Sequence, residues 1–100
     1  MTKRVRFDSP QGVRVNETEY ALMRYIASRS DGPAVLSVSE LSKELVRSVV
    51  TIRNSLRSLG DKGLLEIRAR YLRNGGQLEN EYEVTELGHR ILGVPTREDA

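Results

Sequence analysis

Two short amphipathic segments, separated by one tight turn, constrain the fold of this chain more than any other feature. The first predicts a helix over about 38–45, because a Ser-x-x-Glu capping pattern precedes leucines at helical spacing. The second predicts a helix over about 48–59, because apolar residues recur there at helical spacing, namely Ile52, Leu56 and Leu59. Only Val46-Arg47 separates the two segments. Consecutive helices joined so closely predict a helix-turn-helix.

The residues before this motif predict one further helix and a short strand. Asn16 and Glu19 have the spacing of a capping box, so we expect a helix over about 17–30. Asp31-Gly32-Pro33 should end that helix, because glycine tolerates a left-handed residue and proline cannot continue a helical ladder. Residues 34–36, Ala-Val-Leu, suit a short strand.

Alternating apolar and polar residues predict a β-hairpin after the third helix, which Gly60 or Gly63 should end. The positions that share the inner face are Leu65, Ile67, Ala69 and Tyr71 in the first strand and Leu78, Asn80, Tyr82 and Val84 in the second. A four-residue loop over 73–76 would join the two strands. Thr85 should then cap a short fourth helix that runs to about Leu92.

The register of this hairpin follows from the apolar face. A four-residue loop places Leu72 opposite Gln77, and this register gives three apolar pairs: Leu65 with Val84, Ile67 with Tyr82, and Tyr71 with Leu78. On the other face Arg68 would lie opposite Glu81 and Arg70 opposite Glu79, as exposed ion pairs that contribute little stability. Three helices, a two-stranded wing and a short C-terminal helix make a mainly α fold with a small β-sheet (α+β), which is a winged helix-turn-helix.

The chain's 100 residues allow one compact domain with a single core. We expect an N-terminal arm or hairpin over 1–15, the winged-helix domain over 16–92 and a tail over 93–100. The chain has no cysteine, which excludes a disulfide framework and a thiolate zinc site. No apolar run approaches the roughly 20 residues of a membrane span, so we expect no membrane partner and a cytoplasmic location, nucleoid-associated in a prokaryote.

Residue patterns that support catalysis are missing from the sequence. His89 is the only histidine, and no histidine or carboxylate cluster has metal-ligand spacing. Gly75-Gly76 lacks the lysine and the following helix of a phosphate-binding loop. Glutamates alternate along the second wing strand, which is typical of a solvated face. We therefore expect no enzyme, no cofactor and no metal.

Charge is distributed unevenly along the chain. Residues 41–73 carry eight Lys and Arg against three acidic residues, whereas residues 74–100 carry two against six. The basic part therefore coincides with the helix-turn-helix and the strand after it. This distribution is typical of an electrostatic footprint for DNA.

Several motifs resemble those of known regulators over about residues 17–92. Ser37-Val38-Ser39-Glu40-Leu41, Ser48 with Thr51-Ile52, Leu59 with Gly63-Leu64-Leu65, and Tyr82-Glu83-Val84-Thr85-Glu86-Leu87-Gly88 resemble MarR-type and PadR-type bacterial and archaeal regulators. The wing, Arg73-Asn74-Gly75-Gly76-Gln77 followed by Asn80-Glu81-Tyr82, is similar to winged helices of plasmid and phage replication or regulatory proteins. The resemblance implies a winged-helix DNA-binding fold. One departure is the turn, where the families usually have glycine followed by an apolar residue and this chain has Val46-Arg47.

The outward side of the third helix is the candidate base-reading surface. We call it the reading face, and it comprises Val49, Val50, Arg53, Asn54 and Arg57. In a helix-turn-helix the second helix enters the major groove, where arginine can pair with guanine, asparagine with adenine, and valine can cover a thymine methyl. The alternative interpretation is an ordinary solvated helix face.

A second set of residues is a candidate for contacts with the DNA backbone. It comprises Lys43, Arg47, Ser48, Arg73, Asn74 and Gln77. Ser48 can cap the third helix and also present its N-terminus to a phosphate, although capping alone is the simpler interpretation. The tip of the wing either meets the minor groove or its phosphates, or is a plain turn. Lys3, Arg4, Arg6 and Arg14 suit a basic arm in the minor groove equally as well as a disordered segment.

The leading hypothesis is a sequence-preferring protein that binds double-stranded DNA, a transcriptional repressor that occupies an operator. A domain this small binds weakly alone, so we expect a homodimer on a pseudo-palindrome, with dimer contacts from residues 1–27 and 86–100. One alternative is the DNA-binding component of a plasmid or phage replication, partition or recombination system. Another is a protein–protein interaction adaptor, in which Val49-Val50 would contact the partner.

Overall fold

The computed structural model describes residues 13–30 and 32–93 as four helices and three strands. In chain order they are α1 Glu17–Arg29, β1 Ala34–Val35, α2 Val38–Leu45, α3 Val49–Asp61, β2 Leu65–Tyr71, β3 Gln77–Val84 and α4 Glu86–Gly93. The strands form one antiparallel sheet in the order β1-β3-β2. The predicted α+β winged helix-turn-helix is confirmed, but the wing is one strand larger than expected, because β1 pairs with β3 and extends the hairpin.

The predicted arm and tail lie almost entirely outside the described residues, since the first twelve and last seven residues are not among them. Lys3, Arg4 and Arg6, proposed for a basic arm, belong to that part. Residues 13–16 form no strand, and Val15 is buried in the core. The end of the predicted arm is therefore packed on the domain.

Side-chain caps set where α1 and α2 begin. Asn16 Oδ1 accepts from the Glu19 N–H at 2.8 Å, and Glu19 Oε1 accepts from the Asn16 N–H at 3.0 Å, which confirms the predicted capping box. At α2, Ser37 Oγ accepts from the Glu40 N–H at 2.9 Å. The Glu40 carboxylate does not complete a second box within the described chain, because it instead accepts from the Tyr25 hydroxyl at 3.2 Å. The Glu40 side chain, which was expected to complete the capping box, instead links α2 to α1.

The ends of α1 and α3 differ in how they are made. α1 ends at Arg29 because Ser30 is extended, with φ of −162°, and its hydroxyl accepts from the Gly32 N–H. The helix thus stops at its C-cap, Ser30, one residue before the predicted stop at Asp31-Gly32-Pro33. α3 ends at Asp61, and Gly63 follows with φ of 74°. Of the two glycines predicted to end α3, Gly63 is the one that does so.

The core lies between the four helices and the sheet. Its largest fully buried side chains are Leu22, Met23, Ile26, Leu41, Ile52, Leu59, Leu64, Tyr82 and Ile91. Ile52 and Leu59 of the predicted inner face of α3 belong to this set, and Leu56 is buried as well, so that face is confirmed. Because Ile52 and Leu59 are fully buried, the rotation of α3 about its axis is determined, and the reading face points away from the core.

A buried carboxylate joins the start of α1 to the end of α3. Glu19 is 3% exposed, and its Oε1 lies 2.8 Å from Lys62 Nζ. Burial alone would raise the pKa of Glu19, but hydrogen bonds from Lys62, Ser58 and the Asn16 backbone outweigh it and lower the pKa. The same Lys62 ammonium donates to the Arg14 carbonyl at 2.7 Å. Glu19 is therefore both a cap and the anionic half of an ion pair between two helices.

The hairpin register is as predicted near the core and wrong near its tip. Leu65 faces Val84 and Ile67 faces Tyr82, as expected. Beyond Arg68 the register shifts by one residue, so Arg70 faces Leu78 and Tyr71 faces Gln77. The predicted pairs of Arg70 with Glu79 and of Tyr71 with Leu78 are therefore incorrect.

The shift has its cause in the loop. The Leu72 N–H donates to the Gly76 carbonyl at 2.7 Å, and the Gly75 N–H donates to the Leu72 carbonyl at 3.0 Å. These bonds make a three-residue loop over 73–75, in which Gly75 has a left-handed φ of 91°, instead of the predicted four-residue loop. The pairing is irregular between Arg68 and Arg70, and this irregularity accommodates the one-residue difference between the two registers. Nearer the core, the strands therefore pair as predicted.

The fourth helix packs closely on the junction between α3 and β2. Thr85 Oγ1 accepts from the Gly88 N–H at 3.1 Å, which confirms the predicted cap, and donates to the Gly63 carbonyl at 2.7 Å. A Cβ on Gly88 would lie 2.5 Å from the Leu64 carbonyl oxygen. Only glycine allows this approach. Among the helices described, none is long and apolar enough to cross a membrane.

Candidate nucleic-acid interface

All five residues of the reading face are exposed on α3, as predicted. Val50 is 67% exposed and Val49 is 39% exposed. The opposite side of the helix is buried, and there Ser55 joins the predicted apolar residues. The 13-residue helix thus presents a continuous outward surface that begins with two valines and continues with arginine and asparagine.

The two arginines of this face, Arg53 and Arg57, make no hydrogen bond or ion pair with another described residue. The ion pairs of the described chain join Lys62 to Glu19, Arg68 to three glutamates, and Arg90 to Glu86. Residues 45–60 contain three arginines and no acidic residue, and the nearest acid that follows, Asp61, is not among the ion-paired residues. Both guanidinium groups are therefore available to an external anion or acceptor.

A groove separates the reading face from the wing. Its volume is about 630 Å³, and it is open to solvent. The residues that line it include Arg53, Leu56, Arg57, Ile67, Gln77 and Asn80. Burial of Tyr82 beneath the groove raises the pKa of its hydroxyl, and the nearby Arg53 charge acts in the opposite direction. The groove therefore combines an apolar floor with a polar rim that carries two arginines and one acidic residue, Glu79.

The turn before α3 contains the only non-glycine residue with positive φ among the described residues. Val46 has φ of 54° and ψ of 53°, and its N–H donates to the Ser42 carbonyl. Glycine is usual here in the resembled families because it adopts this conformation without strain. Val46 is 80% exposed, so packing does not explain the choice of valine.

Arg47 contacts the protein itself in the structure. Its Nη1 donates to the carbonyls of Leu45 at 3.4 Å and Val46 at 3.2 Å, and its Nε donates to Thr18 Oγ1 at 3.3 Å. The guanidinium thus satisfies carbonyls at the end of α2 and links the turn to α1. Its predicted phosphate contact stays a prediction, and such a contact would compete with these bonds.

The other candidate backbone residues are exposed, and two of them also shape local structure. Ser48 Oγ accepts from the Thr51 N–H at 3.1 Å, which confirms the cap of α3. Asn74 Oδ1 accepts from the Gly76 N–H at 2.9 Å and stabilises the wing loop. Lys43 on α2 and Arg73 and Gln77 on the wing are exposed as well. The structure brings α2, the N-terminus of α3 and the wing tip into one domain, but their contacts with DNA remain predictions.

Arg68 is excluded from the set of available cations. It lies opposite Glu81 as predicted, at 3.5 Å, but it also pairs with Glu83 at 2.8 Å and with Glu66. The hydrogen bond to Glu83 is the main reason that the pKa of Arg68 is raised. The sequence alternation signalled only one of these three partners. Glu83 lies diagonally across the hairpin, and Glu66 lies two residues earlier on the same strand and the same face.

No protein-family model matches the chain, and a search of curated proteins finds no significant match. Solved structures match it in fold. A mutant of MepR from S. aureus is 20% identical, with a TM-score of 0.62 over 78% of this chain and 53% of that chain. A MepR–DNA complex from S. aureus is 18% identical, with a TM-score of 0.61 over 78% and 52%.

A possible transcriptional regulator from Methanosarcina mazei Go1 is 17% identical, with a TM-score of 0.59 over 90% of this chain and 83% of that chain. The chain spans about half the length of the two MepR chains. These similarities confirm the winged-helix fold that the sequence motifs predicted.

Proposed function

We propose that the protein binds double-stranded DNA and regulates transcription, with α3 in the major groove and the wing on the backbone or in the minor groove. The observation that carries this proposal is the exposed pair Arg53 and Arg57 on α3, which has no partner among the described residues. The matched MepR chain was solved with DNA, which supports a nucleic-acid role for the same fold here. A fold alone hosts many functions, so the arginines carry the argument.

The geometry suits entry of α3 into the major groove. This groove is about 12 Å wide and admits one helix, whose N-terminal residues then reach the base edges. The first two turns of α3 carry Val49, Val50, Arg53 and Asn54, and Arg57 follows one turn later. Arg53 and Asn54 are the main candidates for base reading, because each has two groups that can bond one base edge together.

Contacts with the DNA backbone would come from residues around the reading face. Lys43 and Arg73 carry positive charge on α2 and on the wing, and Asn74 and Gln77 flank the wing glycines. The N-terminus of α3, capped by Ser48, offers backbone N–H groups that suit a phosphate. Such contacts orient a protein on DNA without reading its sequence.

The proposed regulator acts as a repressor and a homodimer. One domain covers too few base pairs to bind tightly, whereas two copies on half-sites one helical turn apart would bind a pseudo-palindrome. Occupation of that operator would exclude RNA polymerase. The proposed dimer contacts are in residues 1–27 and 86–100, because the rest of the chain belongs to the core or to the reading face and wing.

A salt titration tests the proposal. Affinity for a fluorescent random-sequence duplex is measured by anisotropy at increasing salt, and log K should fall linearly with log salt, by about 0.9 per phosphate neutralised. The double variant Arg53→Ala/Arg57→Ala should bind more weakly. The control Arg29→Ala should bind as the wild type does, since Arg29 lies at the end of α1 and belongs neither to the reading face or wing nor to the proposed dimer contacts. No binding at low salt, or affinity independent of salt, would contradict DNA binding.

Selection of bound sites from a random DNA pool then tests the mode of action. Inverted half-sites support the homodimeric repressor. Direct repeats would instead support a replication or partition role, in which copies bind side by side in one orientation.

A further inference from the structure

The first turn of α3 exposes valines where folding gains little from them. Val50 is 67% exposed, and it follows Val49 and precedes Thr51 and Ile52, so four β-branched residues open this helix. β-branched residues are less favourable in helices than alanine, because their χ1 freedom is lost against the preceding turn. A residue that opposes local structure without packing in the core is expected at a functional position.

The charges around Val50 indicate what covers it. Arg53 and Arg57 follow at i+3 and i+7, so they share its side of the helix, and residues 45–60 contain no acid. An apolar protein surface placed here would bury two guanidinium groups without partners, which is costly. The major groove of DNA offers both chemistries together, because thymine presents a methyl group while guanine presents the O6 and N7 acceptors.

We infer that each half-site contains a thymine whose methyl group packs on Val50, next to a guanine that Arg53 reads. Three residues of helix rise about 4.5 Å, and base pairs are stacked about 3.4 Å apart. The thymine and the guanine therefore lie within one or two base pairs of each other. This inference rests on the proposed function and names the chemistry that the same surface recognises.

Replacing thymine by uracil tests the methyl contact, because only the methyl group is lost. In duplexes that carry the selected site, one such replacement should weaken wild-type binding about fourfold, since a buried methyl is worth about 0.8 kcal/mol. In Val50→Ala the same replacement should have no effect. The control Val35→Ala removes another exposed valine, in β1, and should keep the fourfold effect.

Protein stability separates recognition from misfolding in this experiment. Because alanine favours helix more than valine does, Val50→Ala should have an equal or higher melting temperature than the wild type. A loss of the uracil effect in a protein that is at least as stable identifies a contact with DNA. Exchange of the neighbouring guanine for 7-deazaguanine should weaken wild-type binding roughly tenfold and should not weaken Arg53→Ala further.

The outcomes distinguish this inference from the proposed function. If the duplex is bound with a steep salt dependence but uracil has no effect, or has the same effect on Val50→Ala and wild type, the thymine contact is refuted and DNA binding stands. If no duplex is bound at low salt, both are refuted, and the valines are left for a protein partner.

Discussion

Val46→Gly should stabilise the protein, although it removes a side chain. Val46 is held at φ of 54° and ψ of 53°, in the left-handed region. There the Cβ of an L-residue approaches the following carbonyl, at a cost of about 1–2 kcal/mol. Glycine avoids this contact, and the hydrogen bond from the residue 46 N–H to the Ser42 carbonyl can persist.

The size of the gain follows from two opposing terms. Glycine loses more backbone entropy on folding, by about 0.5–1 kcal/mol. Little buried apolar area is lost, because Val46 is 80% exposed. The two terms leave a gain of about 0–1.5 kcal/mol, so we expect Val46→Gly to raise the free energy of unfolding by about 0.75 kcal/mol, the middle of that range. For a domain of this size such a gain raises Tm by roughly 3–6 °C.

Urea unfolding followed by circular dichroism measures the change, with the midpoint shifted and the slope m retained. Val35→Gly is the matched control, since Val35 is also an exposed valine but lies in strand β1, where glycine should destabilise. Val46→Ala should give a smaller gain than Val46→Gly, because alanine keeps its Cβ. If Val46→Gly destabilises the protein as much as Val35→Gly does, the left-handed turn stores no strain and the reasoning is wrong.

Three further perturbations test the ion pair, the α4 junction and the interface. Glu19 has a lowered pKa, so its stabilising contribution is present above about pH 4.5 and is lost as pH falls through the folded-state pKa. Urea unfolding should therefore show that the stability difference between wild type and Glu19→Gln shrinks below about pH 4.5. Gly88→Ala should lower the free energy of unfolding by about 1–3 kcal/mol, because the new Cβ would lie 2.5 Å from the Leu64 carbonyl oxygen. Thermal unfolding should show no such loss for the control Gly93→Ala, since nothing lies within 4 Å of a Cβ at that position. Arg53→Ala should lose about 1–3 kcal/mol of preference for the selected site, whereas Arg73→Ala should lower the affinity for all duplexes alike and reduce the salt slope by about one. Anisotropy on selected and random duplexes measures both effects, and the assigned roles are wrong if the two variants behave the same.

The helices were predictable because their signals are local. The cap residue and the spacing of Ile52, Leu56 and Leu59 lie within one segment, and together they determine which side of α3 is buried. The reading face follows from that rotation alone. The exposure of the reading face can therefore be predicted from the sequence without any tertiary contact.

The wing was predicted less well because its geometry depends on contacts between segments. β1 joins β3 through pairs such as Ala34 with Tyr82, which alternation within a strand does not reveal. The loop has three residues if Leu72 pairs with Gly76 and four if it pairs with Gln77, and the apolar pattern fits either length. The backbone hydrogen bond from Leu72 to Gly76 shows that the loop has three residues. Charge alternation predicted that Arg68 pairs with Glu81, but it did not reveal the further pairs of Arg68 with Glu66 and Glu83.

The start of α1 contacts the chain on both sides of the reading helix. Thr18 Oγ1 accepts from Arg47 Nε in the turn before α3, and Glu19 pairs with Lys62 immediately after α3 ends. Thr18 and Glu19, adjacent residues of α1, therefore contact the residues next to both ends of α3. These contacts restrict sliding and rotation of α3 relative to α1. If α1 contributes to the dimer as proposed, this connection sets the distance between the two reading faces, so Thr18 and Glu19 would influence half-site spacing without touching DNA.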